Sequence, residues 1–539
     1  MTPRTDRRIR IAGGFTAAAL VIAYLAGGFV VLLATTNAAP DFAALFADPY
    51  LQSVFGFTLL QAGLSTLLSI LLAIPFALAL HRSRFPGKRL ILRLFLLPQA
   101  LPVLVGALAV ITIWGRNGVL SQGLAALGLP RLEVYGLNGI LIAHVFFNMP
   151  LAARLILAAL DRVPAESWKL AGQLGLFPLA VFRLVEWPAV RTALPGAAAL
   201  IFMLCITSFT IVLVLGGGPG ATTLEVAVYQ ALRYDFDPGR AVGLSLIQIA
   251  LTTLVLLAAL RLGRDPTGGF GLGAEAKRFD RANPVRRWTD IALVVIGVGF
   301  VLAPFIAILV SGLAADLPKL ATEGVVLQAA LTSLVVALGA ACLSLVLSTA
   351  VLLAIEALRH ASNRPRRVLR SSFETTASLV LVVSPVIVGA GWFLVLRQVT
   401  NVLAVAPYVV VGTNAVMAMP FVVRIVGPAL AETSARTGRL SESLGLAGPA
   451  RFALIDWPAM RTPLALAFAF ALALSFGDLG AIALFGSSDF MTLPYLLLQR
   501  MGSYRTEDAA GLALFLGLIA LVLMTVVERG LSTRPGEHA

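Results

Sequence analysis

The chain repeats itself at a fixed interval. Met149-Pro150, Arg154, Ala159-Leu160, Gly175, Phe182, Trp187-Pro188 and Arg191-Thr192 recur 270 positions later as Met419-Pro420, Arg424, Ala429-Leu430, Gly445, Phe452, Trp457-Pro458 and Arg461-Thr462. Glu186 is matched by Asp456, so an acid precedes the Trp-Pro pair in both copies. A register held without a gap over more than forty residues marks a tandem duplication. Whatever architecture the chain adopts, it must adopt it twice.

The repeat lies in an apolar background. With 59% hydrophobic and 13% charged residues and a mean hydropathy of +0.92, the 539-residue chain lacks the polar surface a soluble globule needs. An all-α polytopic membrane protein is expected. A spanning helix takes about 20 apolar residues, which places spans near 11–34, 54–80, 90–114, 137–160, 193–217 and 240–262. Six more fall near 289–312, 326–356, 371–397, 405–430, 463–485 and 509–528. The twelve helices divide into two homologous six-helix halves, 1–262 and 289–539. Between them, 263–288 carries Gly268-Gly269, Gly271, Gly273 and several charges, and reads as a flexible linker. Arg7, Arg8 and Arg10 precede an apolar run too long for a signal peptide, despite the small residues Ala38-Ala39, so an uncleaved first span is expected.

The net charge of +14 would suit nucleic acid if it formed one patch, but the basic residues gather in short loops. Arg82, Arg84, Lys88 and Arg89 form one group, Lys277, Arg278, Arg281, Arg286 and Arg287 a second, and Arg359, Arg364, Arg366 and Arg367 a third. All share a side with the N-terminus. The positive-inside rule therefore puts both termini and both repeated segments in the cytoplasm. The loops at 35–53, with Asp41 and Asp48, and 218–239, with Glu225, Asp235 and Asp237, face outward.

Within each copy of the repeat sits a polar island, Lys169–Gly175 and Arg439–Gly445. In the first, Pro164 is expected to open a short helix, Leu170 and Leu174 lie one turn apart, and Gly175 suits the left-handed position that ends it. Pro178 opens a second helix with Phe182 and Val185 on its apolar side, ended by Trp187-Pro188 where the next span begins. The second copy keeps Leu440, Leu444, Gly445, Phe452, Ile455 and Trp457-Pro458, with Gly448-Pro449 near the place of Pro178. An amphipathic surface loop is the simpler reading, yet it has no need to keep glycine and Trp-Pro at one spacing in both halves. A rigid docking element that meets a twofold-symmetric partner does.

These islands resemble the cytoplasmic coupling motif of ABC importer permeases, a Glu-Ala-Ala-x-x-x-Gly signature followed by an apolar residue and Leu-Pro. Gly175 and Gly445 fall on its glycine, Pro188 and Pro458 on its proline. The chain departs from it with Lys169-Leu170-Ala171 and Arg439-Leu440-Ser441 at the first slots and Trp in place of Leu. Pro102–Gly106 and Pro385–Gly389 also look typical of such permeases. Fused halves of this size are similar to a subgroup including thiamine and ferric iron importers. Leu215–Pro238, His144–Pro150 and Ile201–Cys205 look most like its thiamine and thiamine pyrophosphate branch. The resemblance implies a type I importer fold and two copies of a cytoplasmic ATP-binding subunit, docked on Leu170, Leu174, Gly175, Trp187 and Pro188 and on Leu440, Leu444, Gly445, Trp457 and Pro458. It also implies a periplasmic substrate-binding protein. No segment of this chain is long or polar enough to form a soluble domain, so ATP hydrolysis is expected elsewhere, and no enzyme activity or cofactor is assigned to it.

Polar residues inside spans are candidates for a translocation path. Asp478 stands out, since a carboxylate in hydrocarbon costs on the order of 3 kcal/mol unless it meets a cavity or partner. It either faces the cargo, where it would offset a thiazolium charge, or bonds a neighbouring helix. His144 and Asn148 lie one turn apart and either line the same path or bond between helices. Ser208 and Ser475, in Thr207-Ser208-Phe209 and Ser475-Phe476, supply small polar groups in both halves; such hydroxyls often bond only their own backbone. Cys205 and Cys342 lie in apolar stretches, read as packing residues, and form no metal pattern. The glycines from Gly216 lack the Lys-Ser/Thr ending of a phosphate loop and read as a tight turn. Ferric iron import by the same architecture and an ion-driven secondary transporter remain the rival functions.

Overall fold

A computed structural model describes residues 3–532 except 36–41, 84, 86, 96, 262–283, 360–362 and 381. The linker expected over 263–288 therefore lies outside the described residues as far as 283, as do Ala38 and Ala39. All regular structure among the described residues is helical. The principal helices of the first half are α1 (Pro3–Thr35), α2 (Pro49–Arg82), α3 (Val103–Trp114), α4 (Leu137–Leu160), α5 (Ala165–Gln173), α6 (Trp187–Ile206), α7 (Leu224–Arg233) and α8 (Pro238–Arg261). The second half contributes α9 (Pro284–Leu313), α10 (Gly324–Ala357), α11 (Pro385–Val399), α12 (Val402–Ser443), α13 (Trp457–Phe476), α14 (Leu493–Gly502) and α15 (Thr506–Ser532).

Eleven of the described helical segments are long and apolar enough to cross a membrane. The expected ninth span, 371–397, is interrupted. Ser384 precedes a proline and takes an extended backbone, its hydroxyl accepts from Ile387 N–H at 3.3 Å, and α11 starts afresh with only 15 residues. Its counterpart α3 likewise starts after Pro102, which is itself extended. The helices of the fifth and eleventh spans break near Thr207–Phe209 and Gly477–Leu479 before short helices resume at Thr210 and Gly480.

Two compact units divide the chain, and each is discontinuous in sequence. One comprises 1–42, 228–249 and 316–539; the other comprises 43–227 and 250–315. In the first, α1 packs on α10 and α11, beside the α10, α12 and α13 bundle. Tyr24 of α1 stacks on Trp392 with centroids 5.4 Å apart. Its hydroxyl donates to Val409 O at 2.7 Å, and Trp392 Nε1 donates to Tyr24 O at 3.0 Å. In the other unit, α9 packs on α2 and α3 beside the α2, α4 and α6 bundle. Gly297 of α9 lies directly on the Phe76 ring and Gly14 of α1 on Ala354, so a side chain at either glycine would collide with its neighbour. The first helix of each sequence half thus belongs to the unit that holds most of the other half.

The repeat persists in detail. Thr58 of α2 accepts from the N–H of Leu224 at 3.0 Å and so caps α7; Ser333 of α10 does the same for Leu493 of α14 at 2.8 Å. The glycine run forms the expected tight turn, with Gly217 and Gly218 at φ 74 and 142.

Candidate coupling elements and buried polar groups

In the first island Pro164 ends the turn after α4 and α5 follows it. Trp168 is fully buried and forms a small core with Ala171 and Val181, flanked by Val163, Leu176 and Val185. His81, near the end of α2, lies over Trp168 with ring centroids 5.5 Å apart and places Nε2 3.7 Å from Asp161 Oδ1. A nine-residue helix is marginal alone, and this core is what fixes it. The second island needs no such core. Ser434 stands where the first copy has Pro164, so α12 runs unbroken over 42 residues into Ser443. Two separate short helices were expected in both copies; only the first copy has a separate one, α5, and in both the second helix runs on into the membrane helix.

Both first helices of the islands end alike. Gly175 has φ +59 and Gly445 φ +63, the left-handed region that glycine occupies without strain. Leu176 N–H donates to Ala171 O at 3.1 Å and Leu446 N–H to Ser441 O at 2.9 Å, the six-to-one bond of a Schellman cap. The leucines before them project into the open: Leu170 and Leu174 are 55% and 64% exposed, Leu440 and Leu444 59% and 63%. Trp187 and Trp457 are exposed too, tilted against Phe182 and Phe452 at 5.9 and 6.1 Å. Exposed apolar side chains matched between two repeats form the kind of patch that a partner covers.

Trp187-Pro188 does not end a helix, contrary to expectation, and neither does Trp457-Pro458. A π-helical turn over Phe182–Glu186 leads straight into α6, and another over Phe452–Asp456 leads into α13, with the Trp187 and Trp457 N–H groups bonding five residues back. Proline lacks the N–H of a regular turn and its ring presses on the carbonyl four residues earlier. The widened turn relieves that pressure and lets the helix continue.

The buried polar groups of the spans pair between helices within each unit. His144 Nδ1 lies 2.8 Å from Ser65 Oγ, Asn148 Nδ2 donates to Cys205 Sγ at 3.3 Å, and Gln61 Nε2 donates to Cys205 O at 3.0 Å. In the other unit Asn414 Nδ2 donates to Ser475 Oγ at 2.9 Å. The 270-residue offset matches Asn414 to His144 and Ser475 to Cys205, so comparison of the copies would have identified Asn414 and given Cys205 a polar role. His144 Nε2, Gln61 Oε1 and Asn414 Oδ1 make no hydrogen bond among the described residues. Asp478 lies beside Gly480 at the start of the short helix that follows, and its Oδ2 is buried with no hydrogen-bond partner among the described residues. Ser208 is half-buried at the matching break in the first copy. Trp168 had no signal in the repeat, because Gly438 occupies its place in the second copy.

The family described as binding-protein-dependent transport system inner membrane component matches residues 69–266. Over 527 residues the chain is 51% identical to the thiamine transport system permease protein of Brucella abortus (strain 2308), covering 97% of this chain and 96% of that one. The protein of the same name from Escherichia coli (strain K12) is 41% identical over 518 residues, 96% of each chain. That of Haemophilus influenzae is 37% identical over 522 residues, 96% of this chain and 95% of its own. With a multi-pass helical architecture and relatives aligned almost end to end, this chain belongs to the family of thiamine transport system permease proteins, among the inner membrane components of binding-protein-dependent transport.

Proposed function

We propose that the chain is the permease subunit of an ATP-driven importer in the inner membrane and carries thiamine, thiamine phosphates or both. The observation that carries the reading is the pair of islands, each ending on a left-handed glycine with two exposed leucines before it. Each island docks one copy of a cytoplasmic ATP-binding subunit through Leu170, Leu174, Gly175, Trp187 and Pro188, or through Leu440, Leu444, Gly445, Trp457 and Pro458. Halves 1–262 and 289–539, joined by the 263–288 linker, act as a pseudo-dimer with both termini in the cytoplasm. A periplasmic binding protein delivers cargo to the opposite side. The cargo assignment follows the relatives' names and the extent of identity.

Groups with unused hydrogen-bonding capacity, His144, Asn414 and Asp478, are the cargo-facing candidates, together with Asn148, Ser208 and Ser475. The test is uptake in a thiamine auxotroph that lacks its own importer, with labelled thiamine against unlabelled thiamine, thiamine phosphates and ferric iron. Uptake displaced by thiamine compounds and abolished by ATP depletion is expected. Competition by iron alone, or uptake in ATP-free vesicles driven by an ion gradient, overturns the assignment.

A further inference from the structure

The acid that precedes each Trp-Pro pair plays no part in the docking surface, yet the repeat conserves its charge between copies. Glu186 and Asp456 are both fully buried. Each is the last residue of a π-helical turn, at the junction where an island passes into its membrane helix.

Their partners come from the same place in the two copies. Asp456 Oδ2 accepts from Arg10 Nη2 of α1 at 3.0 Å, and Arg10 Nε also donates to Asp6 at 3.1 Å. Arg451 Nε lies 3.7 Å from the other oxygen of Asp456. Glu186 Oε1 accepts from Arg286 Nη2 of α9 at 3.2 Å and from Arg82 Nε at 2.9 Å, and its second oxygen bonds Arg82 Nη2. Arg82 Nη1 is also 3.6 Å from Asp290 of α9. In both units, then, a buried carboxylate at the foot of the island is bonded to an arginine near the start of the first helix of the opposite sequence half.

A buried carboxylate that loses its partner is strongly destabilised, so these contacts resist separation. A π-turn is a widened, easily repacked segment often found at functional positions. Joining the two creates a pivot whose far side is held by a helix of the other half. We infer that Glu186 with Arg286 and Arg82, and Asp456 with Arg10, are positioning residues for energy coupling: they clamp each docking island to the first helix of the other half, so that the island and that helix move as one body. The clamp carries motion of an island into the membrane bundle in place of letting the π-turn absorb it.

This inference rests on the docking role of the islands, and its test separates the two. The full transporter, with ATP-binding subunit and binding protein, is reconstituted in proteoliposomes with labelled thiamine as the probe. E186Q and D456N should keep the ATP-binding subunit bound while thiamine moved per ATP hydrolysed falls by about tenfold, the scale of a typical coupling free energy. E186D and D456E, which keep the charge, should recover most of that ratio. The effects of E186Q and R286Q should be markedly non-additive, as for residues of one network. Should the acid variants fail to fold, R10K and R82K decide the matter, since lysine keeps the charge but not the fork by which Arg10 reaches Asp6 and Asp456 and Arg82 reaches Glu186 and Asp290. A wild-type transport-to-hydrolysis ratio in R10K and R82K overturns the clamp and leaves docking untouched. Retention of the ATP-binding subunit by a chain carrying L174D and L444D overturns the docking role itself.

Discussion

Replacing Gly445 separates the shape of the island from its bulk. A Cβ built at Gly445 meets no atom within 4 Å, and the same holds at Gly175. Any penalty therefore comes from the backbone alone. An L-residue at φ +63 pays about 1–2 kcal/mol relative to its right-handed conformation, about tenfold in the population of the native helix end. If that end is lost, so is the 2.9 Å bond from Leu446 to Ser441, and Leu444 no longer projects from a fixed frame. Asparagine tolerates the left-handed region better than alanine, and a β-branched residue there is an outlier. Affinity for the ATP-binding subunit should fall in the order Gly, Asn, Ala, Val at position 445, with the double variant at 175 and 445 worse than either single one. The assay is binding of purified ATP-binding subunit to the permease in nanodiscs, with membrane insertion and melting temperature as controls; both should stay near wild type because the site is exposed. Wild-type affinity for Gly445→Val would refute the claim that the partner reads the left-handed helix end.

Other outcomes follow from the same geometry. Leu174→Ala and Leu444→Ala each remove an apolar side chain that a partner would bury, a contribution of about 1.5–3 kcal/mol, so each should weaken subunit binding in the same nanodisc assay. Trp168→Ala empties the small core of the first island, at about 3–5 kcal/mol; limited proteolysis should show cleavage near α5 while the second island stays intact. Asp478→Asn keeps the size and an acceptor oxygen at the helix break, so insertion should be normal and thiamine uptake reduced; normal uptake would leave Asp478 with a structural role only. Pro188→Ala restores an N–H and removes the ring that favours the π-turn, so hydrogen exchange through Phe182–Glu186 should slow if the turn reverts to a regular helix.

Much of this protein could be read from local chemistry. Gly175 and Gly445 show it best: a polar helix, a glycine and an apolar residue after it fix a cap whichever helices lie nearby. Local chemistry was also enough to mislead. Trp187-Pro188 reads as a helix stop, but a π-turn upstream absorbs the proline. The second island reads as a separate short helix because its end matches the first, while the missing Pro164 equivalent, Ser434, lets α12 run through.

By itself the sequence determined the duplication, the membrane class, most of the spans and the position of the islands, because spacing, hydropathy and backbone freedom are properties of neighbours along the chain. Only the tertiary structure decided which helices share a unit. The membrane helices are apolar on nearly every side, so no stripe on α1 or α9 names its partner, and the choice falls to close packing at Gly14 and Gly297 and to a few buried ion pairs. Glu186 and Asp456 show the division. Their recurrence was visible in the sequence, but that each meets an arginine from the first helix of the other half depends on contacts 100 and 446 residues apart.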